Sequence, residues 1–311
     1  MVEKSKTTLV SICCVTYNHE NFIKDCIEGF IKQKTDFDYE ILIHDDASTD
    51  YTTGIVREYE KKYPKLIKVI YQTENQFLKQ NVLFNILFPM AKGKYIALCE
   101  GDDYWTDPYK LQKQVDIIEN NELCNYVFTN HSILDVSGNI SESNFKLNKI
   151  FSLDYLLEKQ IFPATLTLMF EKKAIINNKQ WKELMTKTFN GDWVLLFMLA
   201  QDSKMSLLND NTAVYRRGIG IVSKTNVISQ LKNGLKTSKA LDKYTKYVYH
   251  YYFKKRYINH GKLAIEYSKD KKYLNAIYFL LKRVCNSIVC NETNLFKNNL
   301  NAIKEVILFL R

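Results

Sequence analysis

The sequence predicts an α/β fold: a mainly parallel central sheet flanked by helices, followed by a helical C-terminal extension. Three observations carry this prediction. Before Asn125, apolar runs of strand length alternate with stripes of helical period. The connections between them are short, which in a strand–helix–strand repeat implies right-handed crossovers and parallel strands. Beyond about Ser223 the strand pattern stops, and the chain turns rich in Lys, Tyr and Asn at helical spacing.

Leu9 to Val15 is a continuous run of β-branched and small apolar residues, as in a strand buried on both faces. Asn21 to Lys34 sets Phe22, Ile23, Cys26, Ile27, Phe30 and Ile31 on one helical face. Tyr39 to Ile43 is a second strand. Ser48 to Asp50 offer caps for a helix carrying Ile55, Val56 and Tyr59 that stops at Pro64. Leu66 to Tyr71 is a third strand, Val82 to Met90 a short helix, and Lys94 to Cys99 a fourth strand. Asp107 caps a further helix, with Pro108 at its first position and Leu111, Val115 and Ile118 as its stripe. Asn125 to Asp135 and Ala164 to Phe170 have strand patterns, Asp192 to Ala200 that of a buried helix, and Met205 to Tyr215 that of a strand or hairpin. The expected division is 1–222 for the α/β domain and 223–311 for the helical region.

Composition excludes several classes. A hydrophobic fraction of 46 % and a charged fraction of 25 % rule out disorder, and 10 Gly with 4 Pro in 311 residues rule out collagen-like and linker-rich chains. The net charge of +10 suits an anionic partner, whether nucleic acid, acidic lipid or a phosphorylated substrate. It is spread along the chain, as a solvated Lys surface also would be. The 7 Cys form no CxxC pair and fit buried apolar positions in a reducing cytosol. The apolar run LVSICCV is too short for a signal peptide, and no stretch nears the roughly 18 apolar residues of a spanning helix.

Parallel sheets bind ligands at the carboxyl ends of their strands. Polar strings follow three of the expected strands there: TYNHEN, HDDASTD and EGDDYWTD. In the last, Glu100, Asp102 and Asp103 crowd three carboxylates into four residues. Unpaired they would repel one another, and a divalent cation such as Mg²⁺ or Mn²⁺ removes that cost while leaving room for phosphate oxygens. The plain alternative is an acidic turn, although Asp107-Pro108 already supplies the next helix cap. In HDDASTD the acids are helix caps or an acceptor for the imide N–H of a pyrimidine base. VTYNHEN has no glycine, which excludes both the dinucleotide fingerprint and the P-loop; Thr16, Tyr17 and Asn18 there are a cap with a buried Tyr, or groups for a ribose and base. Asp192 heads an apolar helix as a dipole partner or a general base. Arg216 and Arg217 are phosphate-clamp candidates or surface charge.

Together these strings resemble family 2 of the glycosyltransferases, of the GT-A fold. The resemblance is strongest from about Thr8 to Asn120 and rests on VSICCVTYN, YEILIHDDASTD, AKGKYIALCEGDD and YWTDPYKLQKQVD in that order. From Asn125 to about Val222, including GDW and YRRGIG, it is looser. It implies that Thr16, Tyr17 and Asn18 line a nucleoside pocket, and that Asp46, with Asp45 beside it, holds the pyrimidine. It implies that Glu100, Asp102 and Asp103 form the metal-binding motif for Mn²⁺ or Mg²⁺, with Asp102 also at the donor. Asp192 would be the catalytic base of an inverting transfer, and Arg216 would stabilise the departing diphosphate. Glu100 stands where the family more often has Asp, and Gly191 where it often has an acid. Tyr104 and Trp105 would stack on sugar faces or pack beneath them.

The implied donor is a nucleotide-sugar, UDP- or dTDP-linked, and the implied acceptor a hydroxyl of a growing, often lipid-linked, bacterial surface glycan. The implied location is cytoplasmic, peripheral at the inner face of the cytoplasmic membrane. The tail interleaves Lys243, Lys246, Lys254, Lys255 and Arg256 with Tyr244, Tyr247, Tyr249, Tyr251, Tyr252, Phe253 and Tyr257, a pattern for anionic lipid, a packing helix or an oligomer surface. Three rivals are weighed against this. A sugar-nucleotide pyrophosphorylase needs a glycine-rich loop that VTYNHEN lacks. A non-catalytic nucleotide-sugar or anionic-polymer binding module would have lost the acidic cluster or the base. A nucleic-acid binder leaves EGDD unexplained, so no nucleic acid is expected.

Overall fold

Val10–Thr16 form β1, and six of its seven residues are buried, as a strand covered on both faces requires. Tyr39–Asp45 (β2) and Ile67–Tyr71 (β3) lie on one side of it and Tyr95–Leu98 (β4) on the other, all parallel. The helices between them are Ile23–Ile31 (α1), Thr52–Lys62 (α2) and a segment that runs as a π turn over Leu83–Leu87 and ends as Phe88–Met90 (α3). Pro89 has no N–H to give to the preceding turn, and the helical ladder widens there. The computed structural model describes residues 7–77, 79–143, 145, 150–159, 163–176, 183–185, 188, 191–200, 204–220 and 226–255, and residues 262, 263, 265, 275, 276, 278, 279 and 282 beyond them.

After β4 the topology changes. Tyr104–Trp105 (β5), Lys110–Glu119 (α4), Cys124–Leu134 (β6), Ile140–Ser143 (β7), Ile150–Phe151 (β8), Leu153–Lys159 (α5), Met169–Glu171 (β9), Lys173–Ile176 (α6), Gly191–Ala200 (α7) and Lys204–Arg216 (β10) follow. Among the described residues the sheet runs β3-β2-β1-β4-β9-β6-β10-β5, with β7 on β6 and β8 on β10. β9 enters antiparallel between β4 and β6, whereas β6 and β10 are parallel. The sheet is therefore parallel in its first half and mixed in its second. The strand expected over Ala164 to Phe170 is a 3₁₀ turn, Thr165–Thr167, leading into the short β9.

The chain divides into two compact units: Met1–Thr186 with Leu195–Gly220, and Lys187–Val194 with Ile221–Arg311. The second contains Val227–Tyr244 (α8), capped by the Asn226 side chain on Ser229 N–H, and His250–Lys255 (α9). Lys246 and Tyr247 between them are both left-handed, so the basic and aromatic tail is broken by a turn rather than carried on one helix. Arg256 and Tyr257 lie outside the described residues.

Lys110, at the start of α4, is wholly buried. Its Nζ donates to Gln114 Oε1 at 2.6 Å and sits 4.6 Å from the Trp105 ring centre. Burial pulls its ammonium down to about 7. An unfolded chain keeps that proton up to about pH 10.4. Between these values the unfolded state binds more protons, so the Lys110 contribution to stability rises with pH. Lys110→Met is expected to flatten this rise, measured as denaturant midpoints at about pH 7 and about pH 9. Equal pH slopes in the two proteins would refute it.

Candidate functional site

The register of the parallel strands sets three loops side by side. Thr16 at the end of β1 is level with Asp45 at the end of β2. Gly101 N–H donates to Val15 O and Asp46 N–H to Thr16 O, each at 2.9 Å, so the acidic loop after β4 and the loops after β1 and β2 converge on one edge. The first two loops are laced together. Asn18 N–H donates to Ser48 Oγ at 3.0 Å, His19 N–H to Thr52 Oγ1 at 2.7 Å and Glu20 N–H to Asp50 Oδ2 at 3.1 Å. In return Asn18 Oδ1 accepts Thr49 N–H at 2.8 Å and Glu20 Oε2 accepts Tyr51 N–H at 2.8 Å.

The acidic loop is held from below and behind. The Glu100 carbonyl accepts the Cys26 thiol at 3.4 Å and the Cys99 thiol at 3.6 Å. Asp103 is buried, and its Oδ1 accepts the Arg216 N–H at 2.7 Å. Burial first, then the Glu100 and Asp102 carboxylates, push the Asp103 carboxyl up to about 9. Asp102 Oδ2 lies 4.0 Å from His19 Nε2, each side chain keeping 12 % of its surface exposed. Gly220 passes so close that an added Cβ would meet Asp102 Oδ2 at 2.9 Å.

The Arg216 guanidinium is committed on every side. Nη1 donates to Asp102 O at 2.9 Å, Nη2 to Asp25 Oδ2 at 2.5 Å, and its centre lies 4.3 Å from the Tyr104 ring and 5.1 Å from the Phe22 ring. These contacts tie β10 and α1 to the acidic loop and leave no fork turned to a phosphate; Arg217 beside it is exposed. Asp45 is similarly spent, accepting Ser48 N–H at 3.1 Å and the Thr53 hydroxyl. It is the turn and cap residue of its string. Asp46 is buried, and its Oδ1 accepts Gln76 N–H at 2.7 Å. Thr16 is wholly buried, its hydroxyl 3.2 Å from His19 Nδ1. Asn18 is left-handed and serves the loop junction, and Tyr17 is half-buried. Trp105 packs: Nε1 donates to Leu166 O at 2.9 Å and its edge meets Phe30. Asp192 is the second residue of α7 and belongs to the second unit, whereas the acidic loop belongs to the first.

His19 is the residue that pattern alone passed over. A single His in a loop has no period, and its place beside Asp102 depends on two strands meeting in register. Gly101 makes the approach possible, since a Cβ there would lie 2.6 Å from Thr16 Oγ1 and 3.0 Å from His19 Nδ1. Gly101→Ala is expected to destabilise the protein by about 1–3 kcal/mol through this crowding, read as a lowered denaturant midpoint. A midpoint equal to the parent's would mean the loop yields without strain.

Among the described residues, no three His, Cys, Asp or Glu side chains are gathered into a cation cage. The donor set fits a different arrangement. Mg²⁺ and Mn²⁺ are commonly held by one or two protein groups with substrate phosphates completing the sphere. Asp102, part-exposed beside two further carboxylates, is the group that would hold such an ion. Burial first, and then the acids Glu100 and Asp102, raise Asp103; the repulsion from those acids is the part an ion would relieve.

Comparison with known proteins shows the same fold. A solved structure of Staphylococcus aureus TarS, residues 1–349 in complex with UDP-GlcNAc, shares the fold at a TM-score of 0.59 and 16 % identity, over 98 % of this chain and 82 % of that one. The mannosyltransferase PcManGT of Pyrobaculum calidifontis, in complex with GDP-Man and Mn²⁺, does so at a TM-score of 0.57 and 11 % identity, over 98 % of this chain and 87 % of that one. In sequence, the chain is 33 % identical over 211 residues to the uncharacterized protein Rv1520 of Mycobacterium tuberculosis, a match covering 67 % of this chain and only 58 % of that relative. It is 36 % identical over 96 residues to the poly(ribitol-phosphate) beta-glucosyltransferase of Bacillus spizizenii, covering 30 % of this chain and 15 % of that protein. The family model for glycosyl transferase family 2 matches residues 11–178, more than half of the chain. The GT-A fold, the three converging loops and that match together place the chain in glycosyltransferase family 2.

Proposed function

We propose that the protein is an inverting, metal-assisted glycosyltransferase that moves a sugar from a UDP- or dTDP-sugar to a hydroxyl of a growing bacterial surface glycan. The observation that carries the reading is the acidic loop, set beside the TYNHEN and HDDASTD loops, with 12 % of the Asp102 side chain still open to solvent. Asp46 is suited to accept a pyrimidine imide N–H, which favours uracil or thymine over cytosine. Asp102 would hold the Mn²⁺ or Mg²⁺ ion, which supplies charge neutralisation for the departing diphosphate. Asp103 and Arg216 fix the loop that carries Asp102. Asp192 is the proposed base, taking the proton from the acceptor hydroxyl as that oxygen attacks the anomeric carbon from the face opposite the nucleotide. No covalent sugar–enzyme intermediate is needed. The UDP-GlcNAc and GDP-Man in the two structural neighbours support a nucleotide-sugar donor, and the name of the Bacillus relative supports a polymer acceptor.

The proposed division of labour gives donor binding to 1–222 and contact with the acceptor's membrane surface to 223–311. No helix among the described residues is long and apolar enough to cross a membrane, so the proposed contact is peripheral, through the Lys and Tyr residues of the tail. The test is a donor-hydrolysis and transfer screen with Mn²⁺ or Mg²⁺ against UDP-, dTDP- and GDP-sugars. Turnover of a UDP- or dTDP-sugar that is lost in Asp102→Ala and Asp192→Ala supports the reading. Normal transfer by Asp192→Ala moves the base elsewhere, and tight nucleotide-sugar binding without turnover in the parent favours the binding-module reading.

A further inference from the structure

We infer that His19 is a second protein ligand to the divalent cation, beside Asp102, and that it biases the site toward Mn²⁺ over Mg²⁺. The inference rests on the metal-assisted donor site proposed above and adds a residue to it. His19 Nε2 and Asp102 Oδ2 are 4.0 Å apart. That is too long for a hydrogen bond. It is within the span of two ligands on one ion, since atoms each about 2.1 Å from a shared cation lie at most about 4.2 Å apart. Both side chains keep 12 % exposure, so an ion and its phosphate partners can reach them from solvent.

The rest of the imidazole is arranged as a ligand needs. A metal-bound His donates its other ring N–H to a fixed acceptor, which sets the tautomer and the ring orientation. Here Nδ1 faces the Thr16 hydroxyl at 3.2 Å, and Thr16 is itself wholly buried at the end of β1. Nε2 is the ring nitrogen that faces Asp102 Oδ2. The backbone under the ring is held by His19 N–H on Thr52 Oγ1 at 2.7 Å. Gly101 leaves the ring its space, as any Cβ there would press on Nδ1 at 3.0 Å. The buried position of Thr16 thus acquires a purpose that a ribose contact does not give it.

The cation preference follows from ligand chemistry. Mg²⁺ takes oxygen ligands almost exclusively, whereas an imidazole nitrogen suits later and softer divalent ions and is accepted by Mn²⁺. One carboxylate, one imidazole and two phosphate oxygens form a mixed set in which Mn²⁺ gains and Mg²⁺ does not.

The experiment is Mn²⁺ titration of the full chain in the presence of UDP, followed by the free-ion EPR signal, with pulsed EPR on the bound ion. The parent should bind Mn²⁺ and show nitrogen coupling from a directly bound imidazole. His19→Asn should lose that coupling and bind Mn²⁺ at least about tenfold more weakly, while Mg²⁺ affinity, read by competition, changes far less. Thr16→Val should retain the coupling with weaker binding. Bound Mn²⁺ without nitrogen coupling in the parent would overturn the inference and leave the metal site standing. Absence of Mn²⁺ binding to the parent with UDP, or unchanged binding in Asp102→Asn, would overturn the donor-site reading and the inference with it.

Discussion

Asp102→Asn is expected to lower sugar transfer by about 10²–10³-fold while leaving the fold intact. The substitution keeps the size of the side chain and removes one negative charge at the point where the acidic loop meets solvent. Asn is the same size as Asp, so the room that Gly220 leaves beside Asp102 Oδ2 suffices for it. On the proposed reading it loses the anionic oxygen that would hold a cation, and the departing diphosphate would carry its charge alone. Asp103→Asn should be milder. Asp103 Oδ1 accepts the Arg216 N–H, and an amide oxygen accepts that bond as well as a carboxylate. Comparing kcat for the two variants on a UDP-sugar, with thermal midpoints as a control, tests the division of roles. An Asp103→Asn loss equal to or larger than that of Asp102→Asn would exchange their assignments.

The first half of the fold is legible because its strands are buried on both faces and write themselves as unbroken apolar runs. β1, β2, β3 and β4 lie where the runs VSICCV, YEILI, LIKVIY and KYIALC place them, and the helices between them carry the expected stripes. The edge that gathers the polar loops follows from parallel order alone. The second half is less legible because its pairings are non-local. Leu166 and Thr167 carry strand-forming composition, yet their carbonyls accept from Trp105 Nε1 and from Lys110 and Gln114, which holds them in a 3₁₀ turn. No window around Ala164 contains those donors. The same distinction separates the site residues. The acidic string announces itself by charge density. The contacts of Thr16 with His19 and of Asp45 with Ser48 are local, 3 residues apart, whereas the clasp of Arg216 depends on Asp25, 191 residues away. Residue type names the chemistry a side chain is capable of, and only the register decides whether it is already spent.

Arg216→Ala is expected to cost about 3 kcal/mol of stability and to lower kcat together with it. The guanidinium, 8 % exposed, is the positive charge beside the buried Asp103, whose carboxyl it draws back toward ionisation against burial and two neighbouring acids. Removing it takes a positive charge from the neighbourhood of Asp103, whose bond from the Arg216 backbone N–H stays in place, frees the Asp102 carbonyl and empties the space between Tyr104 and Phe22. Asp25 is 57 % exposed, so its own share is small, and Asp25→Asn should cost no more than about 1 kcal/mol. Arg216→Lys should recover little, because an ammonium lacks the planar fork that serves Asp102 O and Asp25 at once and the flat face that stacks on Tyr104. A phosphate clamp makes the opposite prediction. Its loss would raise KM for the donor and weaken UDP binding while the denaturant midpoint stayed in place, and Arg216→Lys would restore much of the affinity. Measuring midpoint, kcat and KM on the three variants separates the two. If stability is untouched and only donor affinity falls, Arg216 must leave Asp25 in the working enzyme and turn to the phosphates. If midpoint and kcat fall together, the arginine acts through the loop it holds, and the charge that meets the pyrophosphate must come from the cation side of the site.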